Sequence, residues 1–181
     1  IYQVAINVIA CSAFFAMSVP ALVADNRELH VEAKTDFLTK AVMRQHFIAL
    51  TEQHLKQAKR YGHPTALLLF DVDKFKQIND QFGHLAGDEV LRELASLVRS
   101  KIRSSDIFGR FGGDEFMLLL PQTSIENGFS VAESIRRGIA ELTFSEPELA
   151  VSCSFGIARV DECEGFQSAF DEADRQLLKA K

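Results

Sequence analysis

A short, uninterrupted apolar segment at residues 66–70 (ALLLF) constrains the fold more than any other feature of the sequence. Such a run suits a β-strand that is buried on both faces, and a strand of that kind needs helices or another sheet packed on each side. Asp71 and Asp73 follow it at once. A carboxylate at the end of a buried strand is costly unless a cation or solvent reaches it, so this strand end is also a candidate site.

The patterns that flank this segment alternate between helix and strand. Apolar residues at helical spacing predict helices at 44–60, 90–102 and 166–177. A short helix after a turn is predicted at 74–82, and a further strand is predicted at 151–160. Gly112-Gly113, flanked by apolar residues on both sides, is a hairpin signal. Thr123 and Glu126 have the spacing of a capping box and predict a helix that reaches about Leu142. Together these patterns predict an α/β (or α+β) domain with a mixed sheet.

The charged residues are distributed unevenly, because all 20 basic and 25 acidic side chains follow Ala24. Residues 1–24 are long enough and apolar enough to span a bilayer as one helix. A transmembrane helix is the favoured interpretation, and the alternatives are a secretory signal peptide cleaved after Ala24 and a buried or interfacial helix. Residues 25–35 are polar, contain good helix formers and predict a short linker helix.

Net charge and cysteine content exclude several classes of protein. A net charge of −5 without a basic tract argues against a protein held on DNA by phosphate contacts. The three cysteines include no CxxC pair, which argues against a disulfide scaffold and against a thiolate zinc site. The chain begins at Ile1 within an apolar stretch and ends at Lys181 within a helical pattern, so we interpret it as a fragment of a longer protein.

A second acidic pair follows the glycines of the predicted hairpin, where Asp114 and Glu115 come directly after Gly113. Two strand ends that each carry paired carboxylates are a means of holding Mg²⁺, which binds one or two carboxylates together with substrate phosphates. Two such ions can stabilise the attacking and leaving oxygens of a phosphoryl or nucleotidyl transfer. Each acidic pair taken alone is equally compatible with a solvated turn.

These motifs resemble a known family. The segment FDVDKFKQINDQFGHLAGDEVL (70–91), then RSSD (103–106) and FGGDEF (111–116), stand in the order found in GGDEF-domain diguanylate cyclases. The resemblance covers residues 36–181 and implies a mixed sheet flanked by helices, similar to the palm of polymerases and adenylate cyclases. It also implies a homodimer that condenses two GTP into cyclic di-GMP with two Mg²⁺ per active site, Mn²⁺ being an alternative. With the predicted span, it implies an enzyme of the bacterial inner membrane whose catalytic domain is cytoplasmic.

Carried over residue by residue, the resemblance implies a metal site made by these groups: Asp71, the main-chain carbonyl of Val72, Asp114 and Glu115. Asp114 is also implied as the base toward the ribose 3′-hydroxyl, and the division of work between Asp114 and Glu115 stays open. Lys76 is implied to stabilise charge that develops on the phosphates. The remaining substrate-binding residues implied are Phe75, Asn79, His84, Asp88, Gly112, Gly113 and Lys181.

Two further assignments follow from the resemblance. Asn79 and Asp88 are implied to read guanine, whose N1–H and N2–H₂ groups one carboxylate can accept together, while adenine offers no such pair. Arg103 and Asp106 match the family's RxxD site for inhibition by the product, and they stand at the family spacing before Gly112. An arginine suits that role because its planar guanidinium can stack on guanine and pair with phosphate.

The sequence departs from the family in the block usually written D-x-L-T-G-L-x-N-R, here residues 36–44. Lys40, Ala41 and Met43 replace Gly, Leu and Asn in the turn that couples the upstream helix to the domain. The family's final strand and a phosphate-binding arginine would follow Lys181.

Two other functions stay open at this stage. One is a GGDEF domain that binds GTP or cyclic di-GMP as a sensor without turnover, which the intact acids at 71, 114 and 115 disfavour. The other is a template-dependent polymerase palm, which the lack of a basic groove for a nucleic-acid strand disfavours.

Overall fold

The structure is a computed structural model, and it describes residues 34–181. The transmembrane helix expected at 1–24 and most of the linker helix expected at 25–35 lie outside these residues. Lys34 and Thr35 are described, and the linker prediction is wrong for them, because neither is helical and Thr35 forms an isolated antiparallel bridge with Val42. Between residues 34 and 181, no helix has the length and apolar character needed to cross a membrane.

Within this range the chain forms five strands and five helices. In chain order they are β1 (Val42–Met43), α1 (Arg44–Tyr61), β2 (Thr65–Val72), α2 (Phe75–Phe82), α3 (His84–Lys101), β3 (Ile107–Gly112), β4 (Glu115–Pro121), α4 (Ile125–Ala140), β5 (Cys153–Arg159) and α5 (Phe166–Ala180). The strands make one sheet in the order β1-β3-β4-β2-β5, in which β1 is parallel to β3 and the other neighbours are antiparallel. The predicted mixed α/β fold is confirmed.

Strand β2 is buried along its whole length, as the apolar run predicts. Leu68 and Phe70 face one core, which they share with apolar residues of α3 and α4. Leu67 and Leu69 face the other core, which they share with apolar residues of α1 and α5. Helices therefore cover both faces of the sheet, and Asp71 ends a strand that has little access to solvent.

The sequence patterns misplaced the start of α4 and did not reveal strand β1. The N-cap of α4 is Ser124, whose hydroxyl accepts from the Asn127 amide at 3.4 Å, and the predicted cap at Thr123 is wrong. Gln122 turns the chain with a positive φ of 53°, which buries Thr123 and directs its hydroxyl to the Pro121 carbonyl. Strand β1 was not predicted, because two residues are too few to show a period of two.

The turn before β1 forms despite its departure from the family pattern. Lys40, which stands where the family has glycine, adopts a φ of 57° in the left-handed region. A residue with a side chain adopts that conformation at a cost of roughly 1 kcal/mol. The turn is closed on both sides of Lys40, by hydrogen bonds from the Lys40 amide to the Asp36 carbonyl (2.8 Å) and from the Asp36 amide to the Ala41 carbonyl (2.7 Å).

Gly156 of β5 lies where α5 comes closest to the sheet. A Cβ at this position would lie 2.0 Å from the Ala173 carbonyl oxygen and 2.5 Å from the Leu177 amide nitrogen, and neither backbone atom can move alone. We expect Gly156→Ala to lower the free energy of unfolding by about 2–3 kcal/mol, because the whole helix must shift away from the sheet. Urea denaturation measures this loss.

Gly112→Ala is the matched control, because its added Cβ has no neighbour within 4 Å and its backbone lies outside the left-handed region. Equal losses in the two variants would contradict the packing argument.

Candidate active site

The sheet brings the acids of its two central strand ends together. Asp71 at the end of β2 is paired in register with Glu115 at the start of β4, so both side chains project from the same face. Asp114 precedes Glu115 in the β3–β4 hairpin, and its carbonyl accepts from the Val72 amide at 3.4 Å. Three carboxylates, from Asp71, Asp114 and Glu115, thus meet where two neighbouring strands end or begin.

Burial and the repulsion of neighbouring charges make Asp114 and Glu115 hold their protons more tightly than usual. Burial raises the pKa of Asp114, its own backbone amide lowers it, and the Asp71 carboxylate raises it again, so that the net pKa lies above the ordinary value. Burial likewise raises the pKa of Glu115, and the charges on Asp114 and Asp71 add to the effect. The site therefore carries more negative charge than its surroundings compensate.

Asp71 is the least accessible of the three, with 5% of its surface exposed. Its Oδ2 atom accepts from the Lys181 ammonium, and this hydrogen bond raises the pKa of Lys181. Its Oδ1 atom is buried and has no hydrogen-bond partner among residues 34–181. A buried, unpaired carboxylate oxygen beside two further carboxylates is a good ligand for a divalent cation.

The carboxylates of the site can hold Mg²⁺ only together with a substrate that supplies further ligands. Among residues 34–181, no cluster of three or more Asp, Glu, His or Cys side chains is arranged to hold a metal by itself. Mg²⁺ usually takes one or two protein carboxylates and completes its shell with phosphate oxygens and water. The carboxylates present fit that mode of binding.

A cleft of about 820 Å³ opens beside the acids. Its walls include six of the residues that the resemblance assigns to the active site, namely Asp71, Val72, Phe75, Lys76, Asp114 and Lys181. The first turn of α2 also lies on this wall, and a helix N-terminus with a lysine beside it attracts anions. The volume is that of a typical small-molecule site, and its chemistry suits a phosphorylated ligand.

The Asn79 side chain lies against α3 through the packing of α2 on that helix. The space above Gly87 is filled by the Asn79 side chain, since a Cβ on Gly87 would lie 2.1 Å from the Asn79 Oδ1 atom. Glycine at this position therefore lets the Asn79 carboxamide lie against α3 at the residue that precedes Asp88. Both side chains are half-buried, while His84 is exposed at the first position of α3.

The glycines of the hairpin are exposed at its tip. Gly113 has a φ of 45°, in the left-handed region, and neither glycine would bring a Cβ within 4 Å of another atom in the described part of the chain. A ligand can therefore approach the backbone of the tip without meeting a side chain.

Asp73 lines the same cleft, but its carboxylate is already engaged. It accepts hydrogen bonds from the hydroxyls of Ser152 (2.6 Å) and Ser154 (2.7 Å). These serines were not predicted, although their i, i+2 spacing in a predicted strand places them on one face. Asp73 thus holds β5 against the end of β2 and supports Asp71 indirectly.

Arg103 and Asp106 lie at the other end of β3 from the hairpin. The Asp106 carboxylate accepts from the Arg103 amide (2.8 Å), and the Asp106 amide donates to the Arg103 carbonyl (3.1 Å), which closes a turn. The exposed Arg103 side chain lines a separate cavity of about 450 Å³, together with His54 and His63. Neither histidine was connected with this region from the sequence.

A mixed sheet with carboxylates gathered at its strand ends, beside lysines and a helix N-terminus, is an arrangement that suits a phosphorylated ligand together with a divalent cation. The sequence model of the family described as "Diguanylate cyclase, GGDEF domain" matches residues 33–181. The chain belongs to the GGDEF-domain family.

Curated relatives agree with this membership. Diguanylate cyclase DgcP of Pseudomonas aeruginosa is 41% identical over 153 residues, which are 83% of this chain and 23% of that protein. Diguanylate cyclase DgcM of Escherichia coli K12 is 40% identical over 159 residues, which are 85% of this chain and 37% of that protein. The chain thus spans well under half the length of these relatives.

Solved structures share the fold. The GGDEF domain of DgcB from Caulobacter crescentus in complex with c-di-GMP superposes with a TM-score of 0.77 at 29% identity, covering 82% of this chain and 90% of that one. The active GGEEF domain of a diguanylate cyclase from Vibrio cholerae superposes with a TM-score of 0.73 at 36% identity, covering 76% and 88% respectively.

Removal of one site carboxylate is expected to stabilise the metal-free protein. A raised pKa in the folded state means that the ionised Asp114 destabilises the fold, and this penalty is absent well below the ordinary value of 3.8 and develops as pH rises through the raised pKa. We expect Asp114→Asn to raise the melting temperature by about 2–4 °C near pH 7 in the presence of a chelator. Near pH 3 the melting temperatures should coincide.

Asp161→Asn is the control of opposite sign. Burial raises the pKa of Asp161, but hydrogen bonds from Arg159 and the Thr65 amide lower it below the ordinary value, so its ionised form stabilises the fold. This variant should melt at a lower temperature near pH 7, and shifts of the same sign in both variants would contradict the assignment.

Proposed function

We propose that this chain is the catalytic domain of a diguanylate cyclase, which condenses two GTP into cyclic di-GMP and two pyrophosphates. Membership of the GGDEF family and the likeness to curated diguanylate cyclases support the proposal. The strongest structural support for the proposal is the buried Oδ1 atom of Asp71, which has no hydrogen-bond partner within residues 34–181. This atom lies beside Asp114 and Glu115 at the edge of a nucleotide-sized cleft.

In each half of the proposed reaction, a ribose 3′-oxygen of one GTP attacks the α-phosphorus of the other. A new phosphodiester bond forms, the bond between the α-phosphorus and the bridging oxygen breaks, and pyrophosphate leaves. Asp114 takes the proton of the 3′-hydroxyl, and its raised pKa makes it a stronger base than an ordinary carboxylate. The division of work between Asp114 and Glu115 stays open.

Mg²⁺, held by Asp71, the Val72 carbonyl, Asp114 and Glu115, would supply positive charge at the phosphates, and Mn²⁺ is an alternative. The residues of the cleft contribute their own charges. Lys76, at the first turn of α2, faces the phosphates and neutralises charge that develops on them. Lys181 supplies a second ammonium, which exchanges from Asp71 to the triphosphate when the substrate binds.

Selection of guanine is assigned to Asn79 and Asp88, with Phe75, His84, Gly112 and Gly113 contacting the nucleotide. The half-buried positions of Asn79 and Asp88 support this assignment, because partly desolvated polar groups reject a base that leaves them unpaired.

The assembly and location of the enzyme belong to the same proposal. Since each domain presents one GTP, two copies must face each other as a homodimer. The sheet resembles the palm of polymerases and adenylate cyclases, but no nucleic-acid polymer is a partner. Residues 1–24 would anchor the protein in the bacterial inner membrane and leave the domain in the cytoplasm, where GTP is available.

The decisive experiment incubates the full-length protein with GTP and Mg²⁺ and identifies the product by mass. We expect cyclic di-GMP, with ATP used about 10⁴-fold less well because it leaves Asn79 and Asp88 unpaired. Asp114→Asn should lower the rate by about 10²-fold or more, because it removes both the base and a metal ligand. Glu93→Gln, which neutralises an exposed acid of α3, is the control and should retain the wild-type rate.

If the protein binds GTP or cyclic di-GMP in calorimetry but forms no product, it is a sensor and the proposal is wrong. An Asp114→Asn variant with a rate near that of the wild type would remove the role assigned to that residue.

We further propose that cyclic di-GMP inhibits the enzyme through Arg103 and Asp106. The cavity beside Arg103 supports a site separate from the active site, because it lies at the other end of β3 from the hairpin. Added cyclic di-GMP should slow the wild type, with a coupling of about 1–3 kcal/mol, and should slow Arg103→Ala much less. Arg92→Ala, at an exposed position of α3, is the control. Equal slowing of wild type and Arg103→Ala would show competition at the active site instead.

A further inference from the structure

Arg110 of β3 connects two parts of the domain that are far apart in the sequence. Its Nε and Nη2 atoms donate to the Gly113 carbonyl at 2.9 and 2.6 Å, and its Nη1 atom donates to the Asp36 Oδ1 atom at 2.9 Å. The side chains of Arg110 and Asp36 are 15% and 16% exposed, so water competes little for either group. We call these contacts the Arg110 link.

At one end of the link, Asp36 is fixed by its own turn, residues 36–41. Its Oδ1 atom also accepts from the Thr39 amide (2.8 Å) and hydroxyl (2.6 Å). Burial raises the pKa of Asp36, but the hydrogen bonds from Thr39 and Arg110 lower it to a net value below the ordinary one. Asp36 is therefore ionised at neutral pH and offers Arg110 a rigid, charged anchor.

At the other end, the link holds the part of the hairpin that the strand ladder holds least. The register between β3 and β4 is irregular between Arg110 and Gly112, and only the pair Gly112–Glu115 lies beyond that irregularity. Gly112 and Gly113 have no side chains with which to pack, and Gly113 has a positive φ of 45°. Arg110 thus fixes Gly113, the residue that precedes Asp114, by hydrogen bonds to the Gly113 carbonyl.

We propose that Arg110 is a positioning residue that fixes the hairpin carrying Asp114 to the turn 36–41. This inference rests on the proposed function, because it gives the position of Asp114 a catalytic meaning. The turn is covalently continuous with the chain that precedes residue 35. A displacement imposed on the turn therefore reaches the active-site hairpin through the Arg110 side chain as well as through the pairing of β1 with β3.

A purely stabilising ion pair is the competing explanation, and the structure supplies a control for it. Arg99 of α3 donates from Nη1 to the Thr39 carbonyl at 2.5 Å, so it holds the same turn, and within residues 34–181 it forms no hydrogen bond with the hairpin. Loss of Arg99 loosens the turn but leaves the Arg110 link in place. Loss of the Asp36 charge removes the ion pair and so weakens the link, while asparagine retains an oxygen that can accept from Thr39.

The experiment compares Asp36→Asn and Arg99→Ala with the wild type in the full-length protein. Hydrogen exchange of residues 111–115 reports on the hairpin, kcat and KM for GTP report on catalysis, and the melting temperature reports on stability. We expect Asp36→Asn to speed exchange of the hairpin and to lower kcat about tenfold with KM within about twofold, because misplaced catalytic groups lower kcat. Arg99→Ala should leave the exchange of 111–115 and kcat within about twofold of wild type.

The double variant Asp36→Asn/Arg110→Ala tests whether the two residues act as one unit. If they do, it should lower kcat no more than Arg110→Ala alone, within about twofold, because coupled residues are not additive. Equal effects of Asp36→Asn and Arg99→Ala on exchange and kcat, or no effect of Asp36→Asn on either, would overturn the proposal. A wild type that forms no product would refute the proposed function, while the exchange measurement would still decide whether the link holds the hairpin.

Discussion

The buried carboxylate of Asp71 is the group on which the rest of the site depends. It ends a strand that is covered on both faces, and removing an ionised carboxylate from water costs several kcal/mol unless a partner compensates. Within residues 34–181, the Lys181 ammonium on Oδ2 is the recorded hydrogen-bond partner, and Oδ1 has none. The fold tolerates the cost of burying this carboxylate because the apolar strand that carries Asp71 contributes to both cores. Unfavourable local arrangements of this kind are expected where function requires them.

The same strand explains how one end of the sheet collects so many functional groups. Register places Glu115 opposite Asp71 on one side of β2 and Ser154 opposite it on the other. Ser154 of β5 and Ser152 just before that strand then engage Asp73, while the Oδ1 atom of Asp71, beside Asp114 and Glu115, has no hydrogen-bond partner within residues 34–181. Position in the sheet, rather than nearness in sequence, thus separates the acid with a structural partner from the acids that are available to a metal.

The sequence predicted those parts of the fold that depend on local pattern. The run at 66–70 and the glycines at 112–113 indicate a doubly buried strand and a hairpin because a period and a turn type are local properties. Strand β1 and the Arg110 link were not predictable in this way, because both exist only when distant segments pack together. Among the site residues, the acidic pairs were candidates from chemistry alone. The assignment of Asn79, Asp88 and Arg103 came from the resemblance, since nothing in their spacing indicates guanine.

The replacement of the family's glycine by Lys40 affects the turn 36–41, to which the Arg110 link is attached. Lys40 occupies a left-handed conformation that glycine adopts freely, so the folded turn is strained by roughly 1 kcal/mol. The hydrogen bonds of the turn must offset this strain. Those hydrogen bonds are the two backbone bonds that close the turn, the bonds from Thr39 and Arg110 to Asp36, and the bond from Arg99 to the Thr39 carbonyl. A strained turn held by a few polar contacts is easier to displace than a relaxed one. The replacement of glycine by Lys40 therefore bears on how firmly the hairpin is held, while the acids that perform the proposed chemistry are left as the family has them.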